Sequence, residues 1–149
     1  MKISLLASLL VSGLALVPTW PQGPEKKHKE EPETELGKHM ESIEDTLKVL
    51  RKNLKDSATY PQALEALVQI EQHSLASKML TPAATEKQPD AERATFAKAY
   101  RRTMVDFLTR QLELEAALLD GNAEAVKGAF ERLREMEDSS HERFAPEDD

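Results

Sequence analysis

The chain has 149 residues, 20 of them basic and 27 acidic, for a formal charge of −7, with five glycines, 40% hydrophobic and 32% charged residues. This balance fits one helical domain with a single core, and it counts against nucleic acid or an anionic membrane as partner. Cysteine is absent, which excludes a disulfide framework, a cysteine-held iron–sulfur cluster, a lipoprotein thiol and any thioether-linked cofactor.

Residues 1–20 read as a secretory signal. Lys2 supplies a short positive start, and the apolar run Ile3 to Val17 is too short to span a bilayer with margin. Pro18 and Pro21 follow, and no clean small-residue cleavage site is visible, so an uncleaved membrane anchor is the alternative. Loss of Lys2 with the signal would leave 19 basic against 27 acidic residues, a charge of −8. Residues 21–34 carry Lys26, Lys27, Lys29, Glu30, Glu31 and Glu33 with hardly an apolar side chain, the composition of a disordered lead-in.

Order is expected from about Glu35, in a domain spanning 35–145. Leu36, Met40, Ile43, Leu47, Leu50 and Leu54 recur at steps of four and three, one stripe of a first helix ending around Lys55. Pro61 suits the first turn of a second helix, where its missing donor is harmless. Ala63, Leu67, Ile70 and Ser74 mark one edge of that helix's inward face; Leu64, Val68 and Leu75 mark the other. The helix runs to about Leu80 and Thr81-Pro82 stops it.

After a linker from Ala83 to Ala91, Phe96, Tyr100, Met104, Phe107, Gln111, Leu114 and Leu118 stripe a third helix. Asp120-Gly121-Asn122 combines an end-of-helix glycine with an N-cap. The fourth helix turns Val126, Ala129, Phe130, Leu133, Met136, Ser140 and Phe144 inward, and residues 146–149 form an acidic tail. Short connections force neighbouring helices antiparallel, so the expected fold is all-α, an up-down-up-down antiparallel four-helix bundle.

That topology brings the start of helix one, the end of helix two, the start of helix three and the end of helix four to one end. Met40 and His141 then lie level, roughly 6–9 Å below it at about 1.5 Å rise per residue. Ile43 follows Met40 by a turn; Phe96 and Tyr100 enter from helix three, and Pro82 from the corner after helix two. A thioether and an imidazole on either side of a flat apolar macrocycle satisfy low-spin haem iron and fill both axial positions. Each residue also has a plainer reading, Met40 as core and His141 as a helix-end cation. Arg101, Arg102 and Arg143 are candidates to meet haem propionates, or are surface charges.

The run Met40-Glu-Ser-Ile-Glu-Asp-Thr-Leu-Lys-Val-Leu50 resembles the first-helix signature of the soluble cytochrome b562 family. Leu80-Thr81-Pro82 resembles the end of that family's second helix, Gly121 stands at its third turn, and His141-Glu-Arg-Phe144 is similar to its C-terminal motif. The resemblance covers about Leu36 to Phe144. It implies a periplasmic carrier of single electrons with one non-covalent haem b, Met40 and His141 as the axial iron ligands, a monomeric state and a redox protein partner with a basic docking face. No membrane contact is expected once the signal is removed. The sequence departs from the pattern at Glu137, an acid where the family often has a base one turn before the histidine.

Two other classes compete. His39, His73, His141, Met40 and Met79 all fall towards the same bundle end, and such a mixture suits copper outside the cytoplasm; against it, His39 points outward, about 100° round the helix from Met40, and His73, on the edge of the helix-two face, could replace Met40 as a ligand but by its angle belongs rather to a solvated flank. A cofactor-free bundle that binds partners would need only the apolar stripes. Signals for an enzyme are poor: Ser139-Ser140-His141 occupies successive faces of a helix rather than forming a nucleophile–base pair, and no glycine-rich phosphate loop occurs.

Overall fold

A computed structural model describes residues 34–145, so the expected signal, most of the lead-in and the acidic tail lie outside the described residues. Four helices make up the domain: α1 Glu35–Asn53, α2 Tyr60–Ser77, α3 Asp90–Leu119 and α4 Ala123–Phe144, with 3-10 turns at Ser57–Thr59 and Ala83–Thr85. They form the expected antiparallel bundle. Among the described residues no helix is long and apolar enough to cross a membrane.

Local chemistry fixes each boundary. Thr34 caps α1, its hydroxyl oxygen accepting from the Gly37 N–H at 3.0 Å. Arg51 and Lys52 in the last turn complement the helix dipole. The connection to α2 is held by Asp56, whose carboxylate accepts from the Ala58 N–H, and by Thr59, whose hydroxyl donates to the Asn53 and Asp56 carbonyls. The second helix starts with Pro61 in its first turn, as expected, but ends at Ser77 rather than Leu80. Its last residues continue as a turn in which Met79 N–H donates to the Ala76 carbonyl and Leu80 N–H to that of Ser77.

The α3–α4 corner joins two caps. Gly121 takes φ 66°, a left-handed conformation that glycine adopts without strain. Its N–H donates to the Leu118 carbonyl while Asn122 N–H reaches back to Ala117, closing α3. The Asn122 side chain then accepts from Ala125 N–H and opens α4.

The core follows the stripes. Ile43, Leu47 and Leu50 of α1, Leu67 and Ile70 of α2, Tyr100, Met104, Phe107, Leu114 and Leu118 of α3, and Val126, Leu133 and Phe144 of α4 are buried together. One expectation for α2 fails. Val68 and Leu75 face solvent at 39% and 54% exposure, and the second inward edge is made by Ala66 and Ser77. Residues 63, 66, 67, 70, 74 and 77 keep one narrow stripe at 3.6 residues per turn, and small side chains there let α2 approach its neighbours closely.

Sequence neighbours carry most of the packing: α1 lies on α2, α2 on α3 and α3 on α4. The fourth side of the bundle, between α1 and α4, is the loosest of the four. The candidate site lies there.

Candidate functional site

Met40 and His141 line one cleft. Ile43 and Glu44 accompany Met40 from α1, Met104 and Phe107 form its floor from α3, and Glu137 and Ser140 accompany His141 from α4. Met40 is half-buried and His141 exposed, so the thioether sits against the core while the imidazole stands at the rim. Two soft or borderline donors from the opening and closing helices thus share an apolar recess made by Ile43, Met104 and Phe107.

This donor set fits haem b: neutral imidazole and thioether are a known axial pair, and the recess offers apolar walls for a macrocycle. The cleft holds only about 40 Å³, well short of the roughly 300–1,000 Å³ typical of ligand pockets. Admitting a macrocycle therefore requires α1 and α4 to separate at the seam where they pack least.

Other expected site residues stand elsewhere. Phe96 and Tyr100 do not border the cleft; both rings meet Phe144 edge-on, at centroid distances of 5.2 and 5.4 Å. The Tyr100 hydroxyl donates to the Ser77 carbonyl at 3.2 Å, and burial pushes its pKa up to about 12. Pro82 is buried beyond the end of α2 and is not part of the cleft lining. The Arg143 guanidinium lies 5.1 Å from the centroid of the Phe144 ring. Met79 is 65% exposed and meets Arg101, away from Met40 and His141.

The displacement of the aromatics has a simple cause. At 30 residues α3 is much the longest helix, and its first turns run past the start of α1. Tyr100 is thereby level with Phe144, and Met104 with His141 one turn deeper. Met104 and Phe107 are legible as stripe residues, but the helix-to-helix register that makes them the cleft floor is not.

Glu137 also borders the cleft. Burial raises its carboxyl pKa against the opposing pull of His141 and Arg134, and Asp138 and Glu44 add to the rise. Ser139 and Ser140 both donate to the Met136 carbonyl, which gives their hydroxyls backbone partners instead of His141.

His39 and His73 correct the sequence reading. Neither is a solvated flank residue: both are half-buried, and their Nδ1 atoms lie 2.9 Å apart across the α1–α2 interface, with ring centroids at 5.2 Å. Helical angle alone placed His39 outward, but an antiparallel neighbour occupies that direction.

Residues 35–145 match the family model described as Cytochrome b562. No curated protein matches the chain.

Proposed function

Because the chain belongs to the cytochrome b562 family, a family of haem-binding electron carriers, we propose that it carries single electrons outside the cytoplasm with one non-covalent haem b held between Met40 and His141. The observation that carries this reading is that these two residues, from the first and last helices, border the same apolar cleft. The absence of cysteine supports attachment through axial ligands and packing alone.

When bound, haem iron supplies a one-electron couple whose potential a methionine ligand raises. The chain's own residues do the rest. Ile43, Met104 and Phe107 supply the apolar wall of the recess, which would keep water from a bound macrocycle and strengthen electrostatic interactions there. The edge-to-face contacts of Phe144 with Phe96 and Tyr100 fix the last turn of α4, on which His141 rides. Arg143, whose guanidinium lies 5.1 Å from the Phe144 ring centroid, two residues after His141, would meet a carboxylate of the cofactor.

Lys2 and the apolar run from Ile3 to Val17 support export to the periplasm. The charge of −7 favours a redox partner that presents a basic docking face. The test is spectroscopic. Protein prepared with haem should give a six-coordinate low-spin visible spectrum, and Met40→Ala and His141→Ala should each abolish six-coordination. An unchanged spectrum in either variant overturns the ligand assignment.

A further inference from the structure

We propose that His39 and His73 form a second metal site, a two-imidazole clamp for a divalent transition ion, best suited to copper(II). The site bridges α1 and α2, is separate from the Met40–His141 cleft, and does not depend on haem binding.

The two Nδ1 atoms are 2.9 Å apart and both rings are half-buried between helices, so their positions are set by packing rather than by solvent. At metal–nitrogen distances of about 2.0–2.1 Å, nitrogens at 90° on one ion lie about 2.9 Å apart, while a tetrahedral angle separates them by about 3.3–3.4 Å. The observed spacing is that of two cis positions in a tetragonal site, the geometry copper(II) prefers with nitrogen and oxygen donors. Copper(II) also heads the affinity order of the divalent first-row metals.

Without an ion, two facing Nδ1 atoms hold one hydrogen bond, in which one ring must be the Nδ1–H tautomer. An ion bound to both Nδ1 atoms lies off the line joining them, and the displaced Nδ1 proton passes through solvent to Nε2 of the same ring, leaving both rings neutral with hydrogen on Nε2. Among the described residues no group of three or more histidine or carboxylate side chains converges. Water therefore completes the coordination, and Glu35 and Gln69, each one turn before a histidine on the same helical face, lie within one turn of it.

The site differs from the copper arrangement suggested by sequence alone. Met79 is engaged with Arg101, and His141 borders the cleft between α1 and α4. What remains is a pair joining two helices, one peptide bond from Met40.

The test titrates the full chain with copper(II) against a competing chelator, in wild type, His39→Gln, His73→Gln and the double variant Met40→Ala/His141→Ala. One equivalent should bind, with a nitrogen superhyperfine pattern from two imidazoles in the electron paramagnetic resonance spectrum. Because loss of an outer-shell partner alone weakens metal sites by about 10–100-fold, loss of either histidine should weaken binding at least about tenfold, whereas the double variant should keep it. Unchanged affinity in both glutamine variants, or loss only in the double variant, overturns the proposal. A measurement on wild type avoids any dependence on variant folding: copper(II) should protect His39 and His73 from diethyl pyrocarbonate, mapped by mass spectrometry. Equal modification with and without the ion leaves a hydrogen-bonded pair only, and rejects the site.

Discussion

Gln111 of α3 donates through its side-chain amide to the Ser74 hydroxyl of α2 at 2.8 Å, with both residues fully buried in the middle of the bundle. The amide oxygen of Gln111 has no protein partner. A polar link inside an otherwise apolar layer fixes the register of two helices that apolar stripes alone would let slide by a turn.

Removing one side of that link should therefore cost more than removing both. Ser74→Ala leaves a buried donor unsatisfied and should destabilise by about 1–3 kcal/mol, while Ser74→Ala/Gln111→Leu should recover most of the loss. Chemical denaturation of the two variants checks the difference, which should vanish if the link is energetically idle.

Tyr100 ties α3 to the end of α2 through the Ser77 carbonyl. Tyr100→Phe keeps the ring against Phe144 and removes only that bond, for an expected loss of about 0.5–1.5 kcal/mol. Phe144→Ala should lose about 3–5 kcal/mol by opening the aromatic cluster. If the last turn of α4 positions His141, the second variant should also weaken haem retention beyond the first, measurable by transfer of haem to a scavenging protein.

The carboxyl of Glu137 makes the stability of the fold depend on pH. Its folded-state pKa lies above the ordinary 4.5, chiefly through burial. The folded chain therefore holds this proton more tightly than the unfolded chain, and stability falls as pH rises from about 4.5 through the folded value. In the haem-free protein, Glu137→Gln should raise the melting temperature near pH 7 and leave it unchanged below about pH 4, where both states of the wild type are protonated. A gain of equal size at both pH values would contradict this cause.

Gly121 should tolerate substitution poorly. Its φ of 66° strains any side chain even though a Cβ would meet no atom within 4 Å, so Gly121→Ala should cost about 1 kcal/mol or slightly more from backbone conformation alone. Gly121→Asn should cost less, because asparagine enters this region more readily. Thermal unfolding of the pair separates conformational strain from packing.

Periodicity carried most of the fold. The stripes of α1, α3 and α4, the Gly121–Asn122 corner and the antiparallel order are all local signals, and each follows from helical geometry or turn chemistry. Val68 and Leu75 misled because an apolar residue on a helix flank looks the same in sequence whether or not a neighbour covers it. Topology alone brings Met40, Ile43 and His141 to one end, but Met104 and Phe107 are not legible as the cleft floor because their depth depends on how far α3 overshoots α1, whereas Glu44, four residues after Met40 on α1, is within reach of helical spacing. The His39–His73 contact, 34 residues apart, is invisible to a single helix's periodicity for the same reason: it exists only in the register between two helices.

Three sides of the bundle are bridged by chain connections, whereas the edge between α1 and α4 has none. A flat guest can part these two helices like the covers of a book, without stretching a loop, and once clasped it would bolt the open edge shut. Backbone amides in the first turns of α1 and the last turns of α4 should then exchange with solvent fastest in the bare protein and gain the most protection on loading.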